Sequence, residues 1–245
     1  MRYLMTFSYD GTNYNGYQKQ PNKNTVQDQI EGALLKIFSK EISIHASGRT
    51  DAKVHALNQK AHFDLEKEID LYKLKKSINS LINDDIYIKE IVKVNDDFHA
   101  RFNVVEKTYI YKLNVGSYDP INRNYIYQYN KELDIESIKK AINHLIGTHN
   151  FKSFTKTDLE KEDYVRTIYS IDLVRENDLL TFTFKGNGFL RYMVRNIVGT
   201  LIQVGENKLK SDDILHIIES EDRKEAGKTA NPEGLYLKDV KYDNK

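Results

Sequence analysis

The chain of 245 residues has no cysteine, no tryptophan, only three prolines and almost no excess charge. Each scarcity removes a class of function. Without thiols there are no disulfides, no thiolate nucleophile and no zinc–sulfur site, and the redox compartment stays open. The seven histidines include no tight ligand pair such as H-E-x-x-H. His45, His55 and His62 fall in one region, but scattered histidines are usually packed or solvated, so no metal is expected. No window approaches the roughly 18 apolar residues of a membrane span. The start, MRYLMTFSYDG, lacks a long apolar run ahead of a small-residue cleavage site, so no signal peptide is expected and a cytoplasmic enzyme is the default. A net charge of +1 and a pI near 7.8 fall short of the basic excess common in nucleic-acid-binding domains, roughly pI 9. The 37 basic residues could still be segregated onto one face.

What is present suits a folded, soluble chain: 40% hydrophobic and 30% charged residues, long enough for one large or two modest domains. Arg2 to Tyr9 alternates, with Tyr3, Met5, Phe7 and Tyr9 on one side, and predicts a strand. Thr25, followed three residues later by Asp28, opens a helix whose Val26, Ile30, Leu34 and Ile37 recur at helical spacing. ISIHA and VHALNQKAHFDL read as strands. Asp70 caps a second helix with Leu71, Leu74, Ile78 and Leu81 inward, and IYIKEIVKV is a further strand.

A similar order restarts at Lys107. TYIYKLNV alternates; Asp134 caps a helix of Ile135, Ile138, Ile142 and Leu145, with Gly147 as its stop. Two strands, VRTIYSIDLVRE and LLTFTFKG, join across Asn177-Asp178. An almost continuously apolar helix, FLRYMVRNIVGTLIQV, a short helix after Ser211 and a last strand, LYLKDVKY, complete the pattern. The expectation is an α+β protein of two βαββαβ-like (ferredoxin- or RRM-like) halves, residues 1–105 and 106–245. They would form a mainly antiparallel sheet with helices on one face and a central cleft suited to an extended polymer.

Four segments could carry chemistry. SGRTDAKVHA places Asp51 two residues from Arg49; it reads as a plain turn or as a catalytic carboxylate kept ionised by a neighbouring cation. In GNGFLRYMVRNIVGTL, Arg191 and Arg195 fall on one face of the expected helix, and Gly199 suggests close backbone approach. In FHARFNVVEKTYIY, Arg101 precedes a strand bearing Tyr109 and Tyr111, a pattern that packing alone could explain. YDGTNYNGYQKQ gathers Tyr14, Tyr17 and Gln18 around two glycines, without the spacing of a phosphate or dinucleotide loop.

Taken in order, these segments resemble the tRNA pseudouridine synthase A family. The matches are YDGTNYNGYQKQ with NTVQ, SGRTDAKVHALNQ, FHARF, KTYIYKL, GTHNFKSF, VRTIYSI, GNGFLRYMVRNIVGTL and AGKTANPEGLYL, nearly the whole chain. The resemblance implies isomerisation of uridine to pseudouridine at positions 38, 39 and 40 of the tRNA anticodon stem-loop. It implies a homodimer acting on tRNA in the cytoplasm, with no cofactor, metal or membrane. It makes Asp51 the catalytic nucleophile or base, Arg49 the residue that helps hold the flipped nucleotide and fills its vacated place, Tyr109 the ring that stacks on the uracil, and Arg195 the partner of the aspartate. Arg101, Tyr14 and Gln18 are further candidates for binding substrate.

Two departures stand out: Lys53 where the family commonly has glycine, and Lys228 where it often has proline. Two rival readings remain at this stage. One is an RNA binder without catalysis on the same scaffold; the other uses SGRTD as a phosphate loop and predicts a helix N-terminus there.

Overall fold

A computed structural model of the protein describes residues 1–21, 23–156 and 163–243. The chain divides into two compact units, Met1–Val105 with Tyr236–Lys245, and Glu106–Leu235.

The first unit runs β1 (Arg2–Tyr9), α1 (Val26–Phe38), β2 (His45–Ala46), β3 (His55–Asp64), α2 (Leu71–Asn79) and β4 (Ile86–Val94), the βαββαβ order that the periodicity predicts. β1 pairs antiparallel with β3 and with β4. Its alternating face is core: Tyr3, Met5, Phe7 and Tyr9 are each at most 5% exposed. Both helix starts are capped as their sequences suggest, Thr25 accepting from the Asp28 N–H and Asp70 from the Lys73 N–H. In α2, Leu74 and Ile78 are buried, but Leu81, expected on the inner face, is 41% exposed. The helix has stopped at Asn79, whose side-chain amide binds both backbone groups of Ile88 in β4, at 2.8 and 3.0 Å.

The second unit contains most of β5 (Val104–Asn114), then β6 (Tyr127–Gln128), α3 (Ile135–Leu145), β7 (Gly147–Asn150), β8 (Val165–Glu176), β9 (Leu179–Gly186), α4 (Met193–Gly205) and α5 (Asp213–Ser220). Its strands lie in the order β5-β9-β8-β7, all antiparallel, with β6 added parallel to β5. Asp134 caps α3, and Gly147 follows at φ +112, the left-handed stop expected of it. The β8–β9 hairpin turns on Asn177 at φ 54.

Besides Leu81, two features differ from the sequence expectation. The apolar run from Phe189 predicts helix, yet α4 begins only at Met193, after Tyr192 at φ 63. Leu190 ahead of it is buried without being helical, so the hydrophobic pattern overruns the helix. The last strand, β10 (Leu235–Tyr242), lies almost wholly in the first unit rather than with residues 106–234. Tyr236 and Leu237 pair parallel with His55 and Ala56 of β3, and the Tyr236 ring stacks on His55 at 4.6 Å. Both units are α+β with mainly antiparallel strands.

Candidate active site

The SGRTDAKVHA segment lies between β2 and β3, strand–loop–strand. No helix opens there, so the phosphate-loop reading loses its structural requirement. The loop is clamped from its own side by Gln59 in β3, which donates to the Gly48 carbonyl at 3.0 Å while accepting from Ser47 Oγ at 2.7 Å. The YDGTNYNGY turn clamps it from the other side. The Tyr17 N–H donates to the Thr50 carbonyl, the Lys53 N–H to the Tyr14 carbonyl, and Tyr9 shares a buried 2.8 Å hydrogen bond with Thr50 Oγ1. Burial pushes the Tyr9 phenol up to about 12, so it stays a neutral hydroxyl.

Two glycines make this contact possible. A Cβ on Gly11 would fall 2.1 Å from the Val54 carbonyl oxygen, and one on Gly16, at φ +96, 2.8 Å from that of Thr50. Inside the clamp, the Val54 N–H bonds the Asp51 carbonyl and closes a tight turn. Asp51 is half-buried within it, and Arg49 and Lys53 on either side are exposed. Lys53 has φ 64, the left-handed conformation that a glycine there would adopt without strain.

The other first-unit candidates divide. Gln18 and Arg101 are exposed. Tyr14 is 2% exposed and donates its hydroxyl to Asp85, so it serves as a strut beneath the turn. Beyond Gln18, an open depression of about 550 Å³ is lined by Lys19, Gln20, Pro21, Lys23, Asn24 and Asp28. Lys19 at its rim is engaged with Asp28 and Glu31, at 3.6 and 3.5 Å.

The second unit carries the other candidates. Tyr109 in β5 is 8% exposed and meets the Phe189 ring edge-on at 5.2 Å. Its strand neighbour Tyr111 is fully buried, donates to the Asn231 carbonyl at 2.7 Å and has its phenol pushed up by burial; it is packing. Arg195 sits in the first turns of α4, half-buried, with its Nε donating to the Ala230 carbonyl at 2.8 Å and its guanidinium 5.4 Å from the Tyr192 ring centre. Arg191 does not share a helix face with it. Arg191 precedes α4, is exposed and rests its guanidinium over the Tyr192 ring at 4.9 Å.

Sequence reasoning noted the AGKTANPEGLYL segment but missed that it anchors Arg195. Residues 226–230 lie directly against α4: a Cβ on Gly199 would fall 1.7 Å from the Lys228 carbonyl oxygen, and one on Gly227 2.7 Å from that of Gly199. Arg223 ties the segment down, donating to the Ala226 carbonyl, to Asn196 Oδ1 and to Thr229 Oγ1. Gly199 inside an apolar helix was the one signal of this contact. Among the described residues, no group of three or more His, Cys, Asp or Glu could hold a metal ion, and no helix is long and apolar enough to cross a membrane.

Comparison with known proteins gives this geometry a context. Residues 5–103 and 141–243 match the family described as tRNA pseudouridine synthase. A Bacillus cereus protein named tRNA pseudouridine synthase A 1 is 46% identical over 245 residues, covering 99% of each chain. The tRNA pseudouridine synthase A of a Geobacillus species is likewise 46% identical over 99% of both, and that of Caldicellulosiruptor bescii 45% identical over 98% of both. A solved Cbf5-Nop10-Gar1 complex aligns with 81% of this chain and 54% of its own at TM-score 0.35 and 12% identity, too distant to weigh. With the clamped SGRTD loop in one unit and the Tyr109 strand and anchored Arg195 helix in the other, and with relatives matching end to end, the chain belongs to the tRNA pseudouridine synthase family.

Proposed function

We propose that this chain isomerises uridine to pseudouridine in tRNA, at positions 38, 39 and 40 of the anticodon stem-loop, with Asp51 as the catalytic nucleophile or base. The observation that carries the proposal is the loop itself. An aspartate is held half-buried between two exposed cations, on a turn fixed by hydrogen bonds from both sides. A plain surface turn has no need of such a clamp, whereas a catalytic carboxylate must be held within a fraction of an ångström of its target.

The reaction leaves the composition of the nucleotide unchanged. The C1′–N1 bond breaks, the uracil turns over, C5 bonds to C1′, the C5 proton leaves and N1 is protonated. Asp51 starts this either by attacking C1′ or by removing the 2′ proton; both require the ionised carboxylate. The uridine must first leave its stack, at a cost of a few kcal/mol. Arg49, exposed beside Asp51, takes the role the resemblance implies, holding the flipped nucleotide and filling the space it vacates. Tyr109 supplies the ring for the displaced base and a hydroxyl for the C5 proton, and Arg195 a fixed cation for the carboxylate chemistry.

The relatives' names support tRNA as the substrate. The homodimer and the cytoplasmic location are implied by the resemblance and rest on it; sedimentation of the pure protein and cell fractionation test them. The decisive assay is pseudouridine formation in unmodified tRNA transcripts, with positions mapped. Product at 38, 39 or 40 supports the reading. Tight tRNA binding without product across many transcripts leaves only a binder.

A further inference from the structure

The first unit also presents a stack of four aromatic rings that the reaction as described does not use. His45 stacks on His62 at 5.0 Å, His99 meets His62 edge-on at 4.6 Å, and Phe102 stacks on His99 at 4.2 Å. His62 in the middle of the stack is only 2% exposed; the ring at one end, Phe102, is 75% exposed, and His45 at the other end is exposed as well. The Arg101 guanidinium lies 5.8 Å from the Phe102 ring centre.

The segment bearing His99 and Phe102 is held by hydrogen bonds from Arg2, His62 and Tyr242. Arg2, paired through two hydrogen bonds with Asp64, donates to the Phe98 carbonyl at 2.8 Å. His62 Nδ1 accepts the Ala100 N–H at 3.1 Å, and Tyr242 donates to the Ala100 carbonyl at 2.7 Å. His99 Nδ1 accepts the Arg101 N–H at 3.1 Å. An imidazole that accepts at Nδ1 carries its single proton on Nε2, so these two histidines are neutral rings. Burial, with Arg2, His99 and His45 nearby, holds His62 down at about 4. The stack is therefore an aromatic column with an uncharged centre that ends in a solvent-facing phenyl.

We propose that Phe102, backed by His99 and flanked by Arg101, is a stacking platform for an unpaired nucleobase of the bound tRNA. This rests on the reading of the chain as a tRNA enzyme. An exposed aromatic ring beside an exposed guanidinium offers one face to a base and a cation to its phosphate, the pairing used to hold single-stranded nucleic acid. A second protein copy fits poorly. Arg101 and Asn103 on either side of Phe102 are exposed polar residues, and one ring supplies little of the roughly 800 Å² per partner that a stable interface buries. Because the platform is built before binding, ordering it adds little cost.

The absence of tryptophan makes the test direct, since Phe102→Trp introduces the sole indole of the protein at the site. Emission of the Phe102→Trp variant is titrated with unmodified tRNA transcript, and tRNA affinity, kcat and KM are measured for Phe102→Ala. The proposal expects the indole emission to change on tRNA addition. It expects Phe102→Ala to weaken tRNA binding and raise KM by about 5- to 150-fold, the loss of one base–aromatic stack, with kcat little altered. Unchanged melting of Phe102→Ala confirms that folding is not the cause. Emission unmoved by saturating tRNA with unaltered affinity of Phe102→Ala overturns the proposal. So does an emission change that depends on protein concentration without RNA, which would mark a contact between copies. Pseudouridine formation by the parent is scored in parallel: an indole response to tRNA without any product from the parent would sink the isomerase reading and leave the platform standing.

Discussion

Arg195 and Ala230 exchange two hydrogen bonds: the Ala230 N–H donates to the Arg195 carbonyl at 3.0 Å, and Arg195 Nε returns one to the Ala230 carbonyl at 2.8 Å. The guanidinium is thus fixed at its neck, and its terminal nitrogens are set in one direction by the backbone of residues 226–230.

Lysine cannot reproduce this. It has no Nε–H and no planar fork, so Arg195→Lys keeps the charge and loses its aim. The variant should fold and still bind tRNA, with kcat down at least about tenfold, the worth of one charge-assisted hydrogen bond. Single-turnover kinetics at saturating enzyme would read the chemical step alone; a wild-type rate there would show that the anchor is irrelevant to catalysis.

Gly16 is the tightest test of the clamp around Asp51. In Gly16→Ala the new methyl group meets the Thr50 carbonyl oxygen at 2.8 Å, and φ +96 is a region that alanine resists. The loop must shift, at a cost of about 1 to 3 kcal/mol. The loss should appear in both urea midpoint and kcat, whereas Tyr9→Phe, which deletes only the hydroxyl bonded to Thr50, should move kcat more than stability. Parent-like activity in both variants would mean that the clamp does not position the catalyst.

Lys53→Gly should push stability and affinity in opposite directions. Relief of the left-handed lysine backbone should raise stability by on the order of 1 kcal/mol. Removing an exposed cation two residues from Asp51 should weaken tRNA binding and lower the salt slope by about one. Lys53→Asn, tolerant of the same φ, separates charge from backbone. Affinity identical in all three proteins would place Lys53 outside the RNA contact.

His62 makes stability depend on pH in a defined window. Its folded pKa of about 4 lies below its ordinary 6.5, chiefly because it is buried. Between those values the unfolded chain binds the extra proton, so stability is fully present above about pH 6.5 and falls as pH drops towards 4. At about 1.36 kcal/mol per unit the full loss from this one group is on the order of 3 kcal/mol. Denaturant midpoints across that range should show the slope, and His62→Asn should flatten it; a parallel slope in the variant would assign the effect to other groups.

Much of this was legible because local chemistry is written locally. The caps at Thr25, Asp70 and Asp134, the Asn177-Asp178 hairpin and the alternating face of β1 each follow from residues a few positions apart. What was not legible depends on distant partners. Tyr14 reads as a surface aromatic until Asp85 takes its hydroxyl, and β10 reads as part of the second half until His55 and Ala56 pair with it. The start of α4 was hidden because Leu190 is buried without being helical, so that burial imitated periodicity. Asp51 and Arg49 were visible as a motif; the clamp that distinguishes their loop from an ordinary turn is made by Tyr9, Gly16 and Gln59, to which no spacing rule points.

The most direct test is release of tritium from tRNA carrying C5-tritiated uridine, comparing the parent with Asp51→Ala. The parent should release label in step with pseudouridine formed, and Asp51→Ala should bind the same tRNA and release none. Label release by Asp51→Ala at the parent's rate would remove Asp51 from the reaction, and the clamped loop would then be only a turn.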